Sequence, residues 1–218
     1  MNVAFLRLAL VVLFGAALTG CSTAYHRALE QRGMTRRDVL VRRIQHVQSA
    51  QEEARHQLAS AIASLGSISQ VSPGQLREKH AELDAQLKNG RERTRDLARR
   101  LPAVDTAAAA LFKEWERELA LYQNAALREL SERQLATTRA RYGTFVASQQ
   151  AILGKMEPAL VHFKDQVLFI KHGLNAQARS ELNTTLESLL EELGALVRTI
   201  DESTHAADAF IQNLNTLD

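Results

Sequence analysis

An apolar residue returns at alternating steps of three and four through most of this 218-residue chain, and nothing else restricts its fold so strongly. The first seam is Leu40, Ile44, Val47, Gln51, Ala54, Leu58, Ala61 and Leu65. The second is Leu76, His80, Leu83, Leu87, Gly90, Thr94, Leu97, Leu101, Val104, Ala108, Leu111, Trp115 and Tyr122. The third is Phe145, Gln149, Ile152, Met156, Ala159, Phe163, Gln166 and Ile170. The last is Leu182, Leu186, Leu189, Leu193, Leu196, Ile200, Ser203, Ala207, Phe210, Leu214 and Leu217. Such a spacing draws one apolar stripe along a helix, and the stripe must be buried against other helices. Good helix formers dominate, with only three prolines and ten glycines, and no alternating β-branched run ends in a hairpin turn. The expected fold is all-α: an elongated antiparallel bundle or coiled coil of about four long helices.

Local signals place the helix ends. Thr35 with Asp38 predicts a cap, since a hydroxyl and a carboxylate both suit the electropositive end of a helix. Gly66 opens a loop that reaches Pro73-Gly74, with Ser72 as cap and Pro73 at the first helical position. Asn124 marks a turn or kink, and a third helix is expected over about 127–171. Lys171-His172-Gly173 ends it, and Asn175 caps the last helix. Pro102 and Pro158 fall inside seams, but the register is the same on both sides of Pro102. The second segment therefore reads as a kinked, nearly continuous helix or as two coaxial ones. A 45-residue helix is about 65 Å long, so the expected shape is a rod.

The N-terminus carries a different message. One fixed positive charge, Arg7, precedes an uncharged stretch over residues 8–18, too short to span a bilayer core of about 30 Å. Leu18-Thr19-Gly20-Cys21 follows and resembles the bacterial lipobox. The implied organisation is a cleaved signal peptide over 1–20, a lipidated tether over 21–34 and a helical-bundle domain over 35–218. The resemblance implies that Cys21, the only cysteine, receives diacylglycerol on its thiol and an acyl chain on its new amine. No other cofactor is expected. Ser22, where a retention signal would place Asp, implies by the same resemblance the periplasmic face of the outer membrane.

Formal charge is only +2, but it is unevenly spread. Arg27, Arg32, Arg36, Arg37, Arg42 and Arg43 crowd the start, whereas residues 181–218 hold eight acids and the single base Arg198. Two readings stay open for the candidate residues Arg36, Arg37, Arg42 and Arg43. They press on anionic headgroups beside the anchor, or the first helix lies along the last, basic against acidic.

Chemistry is sparse. Gly154-Lys155 lacks the upstream glycine and the hydroxyl of a phosphate loop, and no Gly-x-Ser-x-Gly elbow occurs. The seven histidines never take a zinc-site spacing, and Glu202 with His205 is a single Glu-x-x-His on an acidic stretch. Catalysis and a metal site are therefore not expected. The basic cluster has no interleaved aromatics, so no nucleic acid is expected as a partner. Trp115, the only tryptophan, lies on a seam and is expected to pack. The apolar run over 163–172, with Phe163 and Phe169, is either buried all round or a docking surface.

Several segments carry a resemblance to a family. Tyr25, Arg37-Asp38-Val39-Leu40-Val41 and Ser49-Ala50-Gln51-Glu52-Glu53-Ala54 are among them. So are Leu111-Phe112-Lys113-Glu114-Trp115-Glu116 with Glu118, Tyr122-Gln123-Asn124-Ala125, Met156-Glu157-Pro158 and, most specifically, the residues from Asp165 to Ala176. Together they are similar to an uncharacterised bacterial domain-of-unknown-function family of secreted or lipidated coiled-coil proteins. Some members carry a DNA-repair ATPase label, which an exported chain without a nucleotide loop does not match. The resemblance implies no activity, ligand or partner. The functional expectation is a cell-envelope lipoprotein acting as a spacer or protein-interaction adaptor in the periplasm. It would be held to the membrane by its lipid, with an envelope protein or the cell wall as partner, and a second chain could complete the long seams. The alternative is a module that binds an apolar ligand or lipid between helices, lined by Trp115, Phe163 and Phe169.

Overall fold

The computed structural model describes residues 34–171 and 176–216. The signal segment, the lipobox with Cys21, most of the tether, and the expected signals at His172, Gly173 and Asn175 lie outside them. The chain divides into two compact units, Met1–Val39 and Leu40–Asp218. In the first, the predicted cap is present. The Thr35 backbone N–H donates to Asp38 Oδ2 at 2.7 Å, and the Asp38 N–H donates to Thr35 Oγ1 at 3.1 Å.

Helix α1 (Arg36–Gly66) begins at this cap and runs on into the second unit, which also holds α2 (Leu76–Leu119), α3 (Ala125–Lys171) and α4 (Ala176–Asn215). Two 3₁₀ turns, Ile68–Gln70 and Pro73–Gln75, link α1 to α2, and no strand occurs among the described residues. The expected all-α bundle of four long helices is what forms. Contacts between helices fix its direction. Glu53 meets Arg93, Gln57 meets Gln86 and Ser64 meets Glu82, so α1 and α2 are antiparallel. Trp115 with Ser131 and Thr94 with Met156 set α2 against α3 in the same way. Ser148 with Ser203 and His162 with Glu192 do so for α3 and α4. Gln48 with Asp208 and Arg55 with Asp201 close the ring between α1 and α4. The order is up-down-up-down, with α1 and α3 facing each other across the interior.

Both prolines lie within unbroken helices, which decides between the two readings left open for Pro102. Pro102 removes the partner of the Ala98 carbonyl and Pro158 that of Gly154, four residues earlier in each case. All four residues are exposed, so water satisfies the released carbonyls and the helices continue.

Every α1 seam residue is buried, as is every α4 seam residue from Leu186 to Leu214. The long helices depart from the prediction: of the second seam, Leu76, His80, Thr94 and Leu101 are only half-buried. Phe112 is buried where Leu111 is expected, and Val167 where Gln166 is. A 3.6-residue helix drifts against a 3.5-residue repeat, and toward the end of α2 the core face moves by one position; in α3 Phe163 and Ile170 stay buried and only the order of the three- and four-residue steps between them is exchanged. Tyr122, placed on the second seam, lies outside any helix and is exposed. Bonds from Ala120 N–H to the Arg117 carbonyl and from Leu121 N–H to the Glu118 carbonyl tighten the last turn of α2. Asn124 Oδ1 then accepts from the N–H groups of Ala126 and Leu127 and starts α3.

The helices do not end together. Carrying the Glu53–Arg93 register back along α1 sets Leu40 opposite Thr106, while α2 continues to Leu119. The α2–α3 hairpin thus stands about 20 Å beyond the level of Leu40. Where four helices give way to two, Tyr142 contacts the rings of Phe112, Phe145 and Phe210 at centroid distances of 5.7, 6.4 and 6.2 Å. Its hydroxyl is bonded to Asp105, and burial above all, with that carboxylate, pushes its pKa well above the usual phenol range. Arg139 lies over the Phe112 ring at 5.2 Å and pairs with Glu116 at 2.7 Å. These groups seal the end of the four-helix core.

Candidate interaction surfaces

The residues singled out from the sequence do not gather at one place. Arg36 and Arg37 belong to the first unit. In the second, Arg42 is exposed and Arg43 half-buried. The expected pairing of α1 with α4 forms, but the two charge blocks are out of step. Continuing the Gln48–Asp208 register sets Arg43 beside Asn213, whereas Glu187, Glu191, Glu192, Asp201 and Glu202 lie along the second half of α1 and its end. An antiparallel pair brings the start of one helix to the end of the other, and the α4 acids sit mostly before that end.

Trp115 is half-buried, and its Nε1 donates to the buried Ser131 Oγ at 2.7 Å. It joins α2 to α3 in the hairpin. Phe163 is buried, but Phe169 is 40% exposed, so the apolar run over 163–172 is split between two faces of α3. Phe163, Val167 and Ile170 face the core, whereas Val161, Leu168 and Phe169 face solvent. The aromatics proposed to line a ligand slot are therefore not together. Phe163 alone lines the interhelical cavity, with Leu58, Gly90, Met156 and Leu193 among its neighbours, and that cavity has a volume of about 20 Å³. This is room for about one water-sized probe, not for an acyl chain.

A second cluster of exposed apolar side chains escaped the sequence reading. Leu121 (74% exposed), Tyr122, Leu127 and Leu130 cap the free end of the hairpin. The available signal was the uncharged run over 119–127 flanking Asn124. Leu168 lies about 60 Å from Leu127 along α3, so the large exposed hydrophobic residues found among the described residues sit toward the two ends of one helix.

In the interior, three seam residues that interrupt the apolar pattern meet. Gln51, Gln149 and Ser203 are 0, 1 and 2% exposed. Gln51 Nε2 donates to Gln149 Oε1 and to Ser203 Oγ, each at 3.0 Å. Gln149 Nε2 donates to Ser203 Oγ at 2.8 Å and to Ser148 Oγ at 3.2 Å. Ser148 gives its proton to the Phe145 carbonyl at 2.7 Å, so Ser203 is the donor in the 2.8 Å bond between the two hydroxyls. Thr204 Oγ1 reaches Gln51 Oε1 at 3.4 Å. Every polar atom of the layer has a partner, as a buried network requires.

The model of a family described as protein of unknown function (DUF2959) matches residues 25–214. The chain belongs to that family. The DUF2959 match takes in nearly the whole of the four helices, the polar layer and both exposed clusters, and it bears out the resemblance carried by the segments between Tyr25 and Ala176. No curated protein and no solved structure matches the chain. Among the described residues of this DUF2959 chain, no three acidic, histidine or cysteine side chains converge as a metal site would need. No helix there is long and apolar enough to cross a membrane.

Proposed function

We propose that this DUF2959 protein is a cell-envelope lipoprotein, anchored through Cys21 to the periplasmic face of the outer membrane, whose helical bundle serves as a spacer or adaptor between the membrane and a partner. Catalysis has no part in this reading. The observation that carries it is the placement of exposed apolar side chains toward opposite ends of α3, about 60 Å apart, on a packed helical scaffold. An adaptor needs two contact regions held at a set separation, and a long helix in a packed bundle supplies that. The lipobox supports the anchor, and export accords with the absence of sequence signals for nucleotide or nucleic-acid chemistry. The far contact region is Val161, Leu168 and Phe169, where a protein of the envelope or one bound to the cell wall would dock. A photo-crosslinking amino acid placed at Leu168 in cells should give a discrete adduct, and one at the exposed Gln150 should not. Equal labelling from both sites, or none from either, would remove the adaptor reading.

A further inference from the structure

We infer that the apex of the α2–α3 hairpin, Leu121, Tyr122, Leu127 and Leu130, is a membrane-contact element that dips into the lipid interface beside the anchor. This deepens the proposed function and rests on the lipid-anchored reading. Four observations favour lipid as the occupant.

The first is connectivity. Leu40, the first residue of the second unit, lies at the end of the bundle from which the hairpin projects, so the tether leaves from that end. The chain between Cys21 and Leu40 has a contour of up to about 60 Å, more than the roughly 20 Å by which the hairpin overhangs. A lipid on Cys21 is therefore able to share a plane with the apex.

The second is charge. Residues 119–127 contain no ionisable group except the Tyr122 phenol, so immersing them strips no formal charge of water. Charged residues resume at Glu118 and Arg128, one turn or less from the apex. Arg128 pairs with Glu132 at 2.9 Å, and Glu129 with Arg133 at 2.5 Å.

The third is the backbone. The N–H groups of Ala120, Leu121, Ala126, Leu127 and Arg128 all have acceptors within the apex or the adjoining helix turns. The N–H groups of residues 122–125 find no such acceptor, so the turn sits no deeper than the hydrated headgroup level, where water and lipid carbonyls serve them. The fourth is composition. Leucines surround one tyrosine, and an amphipathic ring suits the headgroup level. A contact with another protein would draw on the same leucines, but it would not explain why they stand at the anchored end.

The test uses the chain from Ser22 to Asp218, which holds every described residue and no cysteine. An N-terminal hexahistidine tag replaces the lipid and tethers it to vesicles of phosphatidylethanolamine and phosphatidylglycerol (3:1) doped with nickel-chelating lipid. An environment-sensitive fluorophore is attached through Leu127→Cys or, as control, Glu187→Cys. The label at 127 should shift to the blue and be quenched by nitroxide on the acyl chains, and the label at 187 should do neither. Adding Leu121→Asp and Leu130→Asp should reduce vesicle quenching roughly tenfold or more at unchanged helicity, because both leucines are exposed. A label at 127 that stays in water on vesicles overturns the proposal. If it also shifts with protein concentration alone, the apex belongs to a second copy of the chain. Since the tag stands in for the acyl chains, this result is independent of lipidation itself, which palmitate labelling of the intact chain reports separately.

Discussion

Replacing Gln149 by leucine should cost this bundle about 1–3 kcal/mol, although leucine is similar in volume and more apolar. The figure follows from what the change leaves behind. Gln51 Nε2 keeps Ser203 Oγ but loses the Gln149 carbonyl at 3.0 Å, so one of its two hydrogens is left buried without an acceptor. Ser203 loses one donor at 2.8 Å. Each buried group left without a partner costs about 1–3 kcal/mol. Gln51→Leu should cost a similar amount by the same reasoning. The double variant should then recover most of the loss and approach wild type. What remains in it is still satisfied: Ser203 donates to Ser148, Ser148 to the Phe145 carbonyl, and Thr204 to the Ile200 carbonyl. Urea unfolding followed by far-ultraviolet circular dichroism measures the cycle, with an expected coupling of about 2–4 kcal/mol, the sum of the two single losses less what the double variant retains. Additive losses would show that the two amides act separately, and the network would have to be abandoned.

Three further outcomes follow from the same geometry. Pro158→Ala restores an N–H to the exposed Gly154 carbonyl and should stabilise the protein by about 1–3 kcal/mol in urea unfolding. Gly90→Ala should change stability by less than about 1 kcal/mol, because its Cβ would lie 2.9 Å from the flexible end of Leu160 and the rotamer shift offsets the gain in helix propensity. Glu82 is held below its ordinary range first by the Ser64 hydroxyl and then by Lys79. Its folded pKa is depressed, so its contribution to joining α1 and α2 is full above about pH 4.5 and is lost as the pH falls further. Glu82→Gln should accordingly narrow the gap between the melting temperatures at pH 7 and pH 3.

How much of this was legible in the sequence depended on whether a feature is periodic. The α1 and α4 seams could be read residue by residue, because a helix enclosed by neighbours must put the same stripe inward along its length. Leu111 was misplaced by one position because helical drift accumulates with distance, and in the hairpin a single partner helix replaces several; Gln166 was misplaced because spacing alone does not say whether a three- or a four-residue step comes first between Phe163 and Ile170. The cap at Thr35 and the turn at Asn124 were visible because they depend on side chains within a few residues of the helix start, although the capping role of Asn124 was not read. The polar layer was not, although Gln51, Gln149 and Ser203 all stood in the predicted seams. A lone polar residue in a seam reads as an imperfection until the helices are docked and three of them fall at one level. The opposite charges of α1 and α4 suggested the right neighbours, and register decides which residues of the two helices meet, as Gln48 does Asp208 and Arg55 does Asp201. The apex was missed because its leucines and tyrosine, read against a periodic pattern, look like more of the same core.

That layer also bears on the spacing that the proposed adaptor role requires. Apolar seams that repeat every seven residues are nearly as well buried after a slip of one heptad, which is about 10 Å. The connections over 120–124 and 172–175 are short and hold α2, α3 and α4 in step, whereas the connection over 67–75 has enough chain to let α1 slide. The ion pair between Glu53 and Arg93 lies at the surface and resists such a slip only weakly. Gln51 is what α1 contributes to the buried layer, and sliding it by one heptad would leave amides opposite leucines. A chain with leucine at both 51 and 149 should therefore remain stable yet lose a single spacing. Spin labels at Leu127→Cys and Ser60→Cys should give one distance in the native background and a second, displaced by about 10 Å, in the leucine variant. A single unchanged distance in both would show that the apolar packing alone selects the register.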